Sequence, residues 1–155
     1  MTLPADLAIV TPPSLHLQAS GRRVLLASRD PEVTSRFAQR AYDLWPDQAV
    51  ALYLWDPQSV DAVAWLLHHM AYCHTIIIDL SVAGDDLLIL LAGRHIGSNN
   101  LHLLASGERG DVLVPLLAPL HPHPVARRID DLVEHLAAET APHFDAAARP
   151  GELNV

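Results

Sequence analysis

The amino-acid sequence predicts a single three-layer α/β domain built on a mostly parallel, five-stranded sheet with one added N-terminal strand. Two observations predict this class. Apolar runs of strand length alternate with amphipathic helical segments, and an Asp-Pro pair follows each of the first two runs. A chain of 155 residues, half of them apolar, is long enough to bury one such core.

The first two strand–helix units share one local signal. Residues 23–28 and 49–55 are continuous apolar runs, as expected of strands that are covered on both faces. Asp30-Pro31 and Asp56-Pro57 follow them, and Asp is suited to cap a helix while Pro is suited to its first turn. The first helix is expected to end near Trp45. The second is expected to bury Val60, Val63, Ala64, Leu67 and Met70.

The second half of the chain continues the alternation. Residues 75–80 are rich in β-branched side chains and predict a central strand, residues 84–92 predict a helix, and residues 101–105 predict a strand that ends at a turn over 107–110. Residues 111–117 are interpreted as a fifth strand, at an edge because Pro115 lacks an N–H. A last helix is expected over 124–139, with an inner face of Val125, Ile129, Leu132, Val133 and Leu136.

The alternating pattern of residues 14–18, before a Ser20-Gly21 turn, predicts the added strand. The domain is therefore expected over 14–139, with an extended arm over 1–13 and a mobile or partner-bound tail over 140–155. Leu3, Leu7, Ile9 and Val10 make the arm apolar, so the termini are expected to bind a protein partner or a second copy. Alternating β and α elements favour a flavodoxin-like or Rossmann-like sheet.

Composition excludes several classes of function. All ten basic residues are Arg, so a Walker-type phosphate loop and a Schiff-base enzyme, which both need Lys, are excluded. A net charge of -8, with basic residues clustered only in pairs, argues against a nucleic-acid partner. No apolar stretch approaches the ~20 residues of a membrane span, and the lone Cys73 favours a reducing compartment. A cytoplasmic protein is expected, or one of a host cytoplasm or virion if it is phage-encoded.

The candidate ligand-binding residues lie at the predicted carboxyl ends of the strands, where sheets of this class bind ligands. They are Asp30, Asp56, Asp79 and Ser106. Asp30 and Asp56 are expected to cap their own helices, which would leave Asp79 as the free carboxylate of an edge that is shallow or covered by residues 107–110. No dinucleotide glycine pattern follows the first strand, so no cofactor is predicted.

Metal binding and catalysis are not predicted. The chain has ten histidines, but they are interpreted as scattered, without a Cys or carboxylate at chelating spacing, so no metal site is expected. The Gly-x-Ser-x-Gly motif of a nucleophile elbow is missing from the sequence, and no catalytic residue is assigned. The sequence therefore favours a non-catalytic binding or structural module that mediates protein–protein association.

Residues 23–105 resemble the receiver domains of response regulators, because strands and helices alternate up to an acidic strand end at Asp79. Receivers carry an acidic pair after the first strand, where this chain has Ser28-Arg29-Asp30, and a Lys after the last strand, which this chain lacks. The resemblance therefore implies a degenerate receiver-like domain that signals without phosphate, as one alternative function.

Residues 73–107 resemble nucleoside 2-deoxyribosyltransferase-like domains in the strand that ends at Asp79 and in the small-residue turn over 92–97. That resemblance implies a second alternative, a nucleoside- or nucleotide-processing enzyme, although the helix over 85–91 lacks the family's nucleophilic Glu. The segments 11–17 and 21–27 are similar to small uncharacterised α/β proteins of large contractile-tailed phages. This similarity implies a virion or accessory role.

Overall fold

Five parallel strands and four helices make up the computed structural model, which describes residues 7–11, 21–82 and 97–140. The strands are β1 (Leu7–Val10), β2 (Arg22–Ala27), β3 (Val50–Leu54), β4 (Thr75–Asp79) and β5 (Leu101–Leu104). The helices are α1 (Pro31–Leu44), α2 (Ala62–Met70), α3 (Gly107–Leu117) and α4 (Ile129–Thr140). Two short 3-10 helices cover Leu80–Val82 and Ala118–Leu120.

The strand order is β1-β3-β2-β4-β5, and each neighbouring pair is parallel. Within it, β3-β2-β4-β5 is the order of flavodoxin-like sheets, and β1 extends the sheet beyond β3. The predicted α/β class is therefore confirmed. The chain reverses its direction of travel across the sheet between β2 and β4, which makes their carboxyl ends the topological switch point.

Helices cover both faces of the sheet, as the continuous apolar strands predict. In β2, Val24 and Leu26 belong to the core beneath α1 and α4, whereas Leu25 and Ala27 belong to the core beneath α2 and α3. Every residue of β4 is buried. Because successive side chains of a strand point to opposite faces, a strand without polar alternation requires this three-layer arrangement.

Helix α1 begins as predicted. Asp30 is extended, and its Oδ1 accepts a hydrogen bond from the backbone N–H of Glu32 at 2.9 Å. Pro31 takes the first helical position, where its missing N–H costs nothing. The helix ends where the N–H of Trp45 donates to the carbonyl of Ala41. The capping role of Asp30 is confirmed.

The prediction that Asp56 caps the second helix, α2, is wrong. Asp56 does not cap it, because the helix begins six residues later, after Asp61 in the left-handed region at φ 55°. Asp56 instead closes a tight turn, in which Oδ1 accepts from the N–H of Gln58 and the hydroxyl of Ser59 donates to its carbonyl. A short polar side chain after Pro57 favours this local turn over a helix.

The buried face of α2 also differs from the predicted stripe. Its buried side chains are Trp65, Leu66, His69 and Met70. Val60 is 87% exposed and Val63 is 45% exposed, so the predicted inner positions of the first turn are wrong. The ring of His69 stacks at 4.0 Å from that of Trp65 and at 4.9 Å from that of Tyr53, and these larger rings fill the interface with the sheet.

Strand β1 corrects the N-terminal boundary. Residues 7–10 pair in register with residues 50–53 of β3, so this part of the predicted arm belongs to the sheet. Val10 is 7% exposed and lies in the core beneath α2 and α3. Residues 7–10 are a short segment close to Pro12 and Pro13, so their sequence alone predicts a strand only weakly. They are a strand in the structure because they pair with β3.

Helix α3 replaces the predicted edge strand. Residues 107–110, expected to form a turn, are its first turn, and residues 111–117 continue it with Pro115 inside the helix. Gly110 lets the helix approach the sheet, since a Cβ there would overlap the carbonyl oxygen of Ala105. Pro115 is the ninth of the eleven residues of the helix, and its missing N–H and its ring affect the preceding turn, at the carbonyl of Asp111.

Helix α4 begins five residues later than predicted, at Ile129. Ala126 is extended instead, and it makes a parallel bridge to Leu104 through two backbone hydrogen bonds of 2.8 and 3.0 Å. The predicted inner positions 129, 132, 133 and 136 are all buried, which confirms the face of the helix. Val125 packs against the other core from outside the helix.

Three predicted segments lie outside the described residues: the strand over 14–18, the helix over 84–92 and the tail beyond Thr140. Within the described ranges, no helix is both long enough and apolar enough to cross a membrane. Trp45, Trp55 and Trp65 are all buried, in agreement with their predicted packing role.

Cys73 is predicted to be unreactive in the native protein. It is 5% exposed, and burial raises the pKa of its thiol to about 12, against an opposing effect of Arg23. At pH 8 the native thiol should react with a maleimide about a thousandfold more slowly than an ordinary thiol, because the thiolate is the reactive form. Mass spectrometry of a time course measures the rate. A Val60→Cys variant supplies the exposed control, and equal labelling of the two thiols would contradict the prediction.

Candidate functional site

The switch point is occupied by side chains of the protein itself. Asp79 ends β4 and is 2% exposed. Its Oδ2 accepts a hydrogen bond of 2.8 Å from the hydroxyl of Ser28 at the end of β2, so the two strand ends are joined directly. Its Oδ1 accepts from the N–H of Ser81 at 3.1 Å and from the Ser81 hydroxyl at 2.6 Å.

Asp79 is therefore not the free carboxylate that the sequence predicted. Three donors satisfy its two oxygens, and burying a carboxylate requires such partners. The hydroxyl of Ser28 also accepts from the N–H of Asp30 at 3.1 Å, which links the start of α1 to the end of β4. The arrangement fixes the geometry of the switch point and leaves the carboxylate of Asp79 buried.

An open cleft lies beside the switch point, between the N-terminal ends of α1 and α4. Its volume is about 340 Å³, and it is lined by Asp30, Glu32, Val33, Arg36, Leu104, Ser106, Arg127, Arg128, Ile129 and Asp130. Two of the four predicted ligand-binding residues, Asp30 and Ser106, therefore line one cleft. Asp56 and Asp79 do not line it. The sequence predicted an edge that is shallow or covered by a turn over 107–110; those residues instead form the first turn of α3, and an open cleft lies beside the strand ends.

The charged groups of the cleft are paired with one another. Arg36 binds Glu32 at 3.0 Å and Asp130 at 2.9 Å, and these two carboxylates raise the pKa of the guanidinium. Arg127 binds Asp111 at 2.6 Å. Asp30 is engaged in capping α1. Because each of these acids already has a donor, the cleft does not present two uncapped carboxylates to a ligand, as a glycosyl-transfer site would require.

A second group of side chains lies on the α4 side of β5, and we call it the histidine–glutamate cluster. It consists of His102 on β5, His123 in the loop before α4, and His135 and Glu139 on α4. One ligand atom from each residue lies within 4.8 Å of the others. The prediction that no histidine has a carboxylate at chelating spacing is therefore wrong, since His135 and Glu139 are four residues apart on one helix.

His102 is the innermost member of the cluster. It is 3% exposed, and its ring stacks on that of His123 with centroids 4.4 Å apart. Burial, together with the neighbouring imidazoles of His123, His135 and His121, lowers the pKa of His102 to about 3. The ring is therefore neutral at physiological pH. Its Nδ1 is buried and has no hydrogen-bond partner within the described part of the chain.

The two regions have different chemistry. At the switch point Asp79 is held by hydrogen bonds, and Arg36 and Arg127 of the cleft beside it are held in ion pairs. The histidine–glutamate cluster instead brings three imidazoles and one carboxylate together, a donor set typical of transition-metal sites. Comparison with known proteins adds no assignment to either region: no protein-family model matches the chain, and no curated protein matches it.

Proposed function

We propose that this protein is a non-catalytic module that associates with a second copy of itself. The observation that carries the proposal is an apolar row on the outer side of α3 and the 3-10 helix that follows it. Val112, Leu116 and Leu120 are 64%, 64% and 55% exposed, and Pro115 and Pro119 are exposed between them. We call these five residues the apolar stripe.

The spacing of the apolar stripe supports an interface. Its members lie at positions i, i+3, i+4, i+7 and i+8, the spacing of one helical face; the first three are in α3 and the last two are in the 3-10 helix that follows it. The opposite face of α3 already packs on the sheet through Leu117, so the stripe is not needed for the fold. Isolated exposed apolar residues are common, but a contiguous row marks an interaction surface.

We propose a second copy of this chain as the partner that binds the apolar stripe. Two identical helical stripes can pack against each other around a two-fold axis, which is the commonest symmetry of soluble oligomers. This interface replaces part of the one predicted from the termini, because residues 7–10 are already used within the sheet. A structural or accessory role in a phage virion, or in a host cytoplasm, is compatible with such a module and remains part of the proposal.

The catalytic alternative has less support. A deoxyribosyltransferase-like enzyme would need a free carboxylate at the strand ends, but Asp79 accepts three hydrogen bonds. A receiver that accepts phosphate would need Asp79 to be accessible, and it is 2% exposed, whereas a degenerate receiver that signals without phosphate does not need it. The helix on which the transferase resemblance depends lies outside the described residues.

Light scattering coupled to size exclusion tests the self-association. Wild-type protein should show a dimer fraction that rises with concentration, with a dissociation constant in the micromolar range for a small interface. Leu116→Glu places a charge in the apolar stripe and should weaken the dimer about tenfold or more.

Val60→Glu is the matched control for that variant. Val60 is 87% exposed on the approach to α2 and lies outside the stripe, so this substitution should leave the dimer unchanged. A wild-type protein that stays monomeric at about 100 times the expected dissociation constant would overturn the proposal. Equal weakening by both variants would mean that the stripe is not the interface.

A further inference from the structure

The histidine–glutamate cluster gathers its side chains from three parts of the chain that are far apart in sequence. His102 comes from β5, His123 from the loop, and the remaining two from the last two turns of α4. The members become more exposed outwards: His102 is buried, whereas the side chains of His135 and Glu139 are 28% and 37% exposed. An ion can therefore reach the cluster from solvent.

We propose that the histidine–glutamate cluster binds one zinc ion, which fastens the end of α4 to the edge of the sheet. The separations of the ligand atoms support this ion. His123 Nδ1 lies 3.1 Å from Glu139 Oε2, and His135 Nε2 lies 3.3 Å from that same oxygen and 3.3 Å from His123 Nδ1. A tetrahedral zinc ion with bonds of about 2.0 Å places its ligand atoms about 3.3 Å apart, so these three atoms form one face of the tetrahedron.

His102 supplies the fourth ligand. Its Nε2 lies 3.8 Å from Glu139 Oε1, the other oxygen of the same carboxylate, and a ring nitrogen of His102 lies within 4.8 Å of a ligand atom of each other member. Closing these distances to about 3.3 Å would complete a tetrahedral site. Four protein ligands complete the coordination, as in structural zinc sites, whereas catalytic sites keep one position for water.

The hydrogen bond of His123 selects the nitrogen that faces the ion. Its Nε2 bonds to the backbone carbonyl of Asn99, and a carbonyl oxygen can only accept, so Nε2 carries the proton. The lone pair of the neutral ring then lies on Nδ1, which faces the cluster. Metal-binding histidines are usually oriented in this way by a backbone carbonyl or carboxylate on the other ring nitrogen.

Three ligand atoms of the cluster lie close enough together to bind one cation. His123 Nδ1 and Glu139 Oε2 are 3.1 Å apart, and His135 Nε2 lies 3.3 Å from both. A cation placed among them would be bound by all three atoms. The donor set of three nitrogens and one oxygen suits zinc, whereas Mg²⁺ and Ca²⁺ prefer oxygen ligands.

Calorimetric titration of the tag-free full chain, stripped with a chelator, tests the proposal. One zinc ion per chain should bind, and Mg²⁺ should not. At a free zinc concentration of 100 times the dissociation constant, the midpoint of thermal unfolding should rise by roughly 8 °C. Co²⁺ in place of zinc should give the intense visible absorption of a tetrahedral site.

Two variants and one control locate the site. Glu139→Gln and His135→Asn each remove a ligand from a partly exposed position, so both should fold, and each should weaken zinc binding about 100-fold or more. His68→Gln makes the same kind of change on α2, away from the cluster, and should bind zinc as the wild type does.

Three outcomes would overturn the proposal. The first is the lack of saturable zinc binding in the micromolar range by wild-type protein. The second is an affinity that is unchanged in both ligand variants, which would assign binding to other surface histidines. The third is equal weakening by His68→Gln. Circular dichroism confirms that the variants are folded, and the dimer measurements above are independent of each of these results.

Discussion

Replacing Asp79 with Ala is expected to lower the free energy of unfolding by about 3 kcal/mol. The substitution removes three hydrogen bonds to a charged acceptor: one from the hydroxyl of Ser28, which is half-buried, and two from the N–H and hydroxyl of Ser81, which is exposed. It also separates the ends of β2 and β4 at the switch point. Urea denaturation followed by the fluorescence of the three tryptophans measures the change.

Asp56→Asn is the matched control for this experiment. Asp56 is exposed and closes a turn by accepting from the N–H of Gln58, and an Asn side chain can accept the same hydrogen bond. Its effect should stay within about 0.5 kcal/mol. If Asp79→Ala leaves stability unchanged but abolishes binding of a nucleoside or nucleotide, the carboxylate serves a ligand and the catalytic alternative gains support.

Deleting residues 1–11 is expected to destabilise the domain by about 3 kcal/mol and to promote aggregation. The deletion removes β1, exposes the apolar surface that Val10 covers, and leaves the backbone of β3 unpaired along one edge. Thermal unfolding and light scattering measure the two effects. An arm outside the fold, as the sequence predicted, would be removable without loss of stability.

Two single substitutions in β1 test whether the loss of stability comes from the packing of Val10, without shortening the chain. Val10→Ala opens a cavity in the core and should cost about 2 kcal/mol. Ile9→Ala alters a side chain that is 41% exposed and should cost less than about 1 kcal/mol. Equal effects of the two substitutions would contradict the packing of β1 described above.

Local signals in the sequence were sufficient for much of the fold. The central strands were recognisable because both faces of each strand are buried, which leaves an uninterrupted apolar run such as that of β4. The start of α1 was recognisable because Asp30 and Pro31 act within one turn of the helix. The buried strands and the start of α1 depend on neighbouring residues in the sequence, so they can be predicted without knowledge of the fold.

The Asp-Pro pair also predicted a helix start at Asp56-Pro57, and there the prediction is wrong. The residues that follow the pair decide between a helix and a turn. Ser59 bonds back to the carbonyl of Asp56, and the helix starts only after Asp61. Proline misled again in α3, where Pro115 lies within the helix. At Asp56-Pro57 the outcome is local, whereas α3 forms despite Pro115 with Leu117 packed on the sheet, a contact that no short segment encodes.

Only half of the histidine–glutamate cluster could have been predicted from the sequence. The spacing of His135 and Glu139 on one predicted helix was present in the sequence and was the signal that could have found half of the cluster. His102 and His123 could not be added without the fold, because they come from a strand and a loop that meet α4 only in three dimensions. Likewise, the partners of Asp79 include Ser28, which is 51 residues away.

The position of β3 between β1 and β2 constrains the order in which the chain can assemble. β1 is synthesised first, but its only neighbour among the described strands is β3, whose residues 50–54 follow about forty residues later. During translation, β1 must therefore stay unpaired while β2 and α1 emerge from the ribosome. If β1 paired directly with β2, β3 could not take its native place between them. Such early pairing would be a kinetic trap, and the chain avoids it if β1 docks only after β3 has formed.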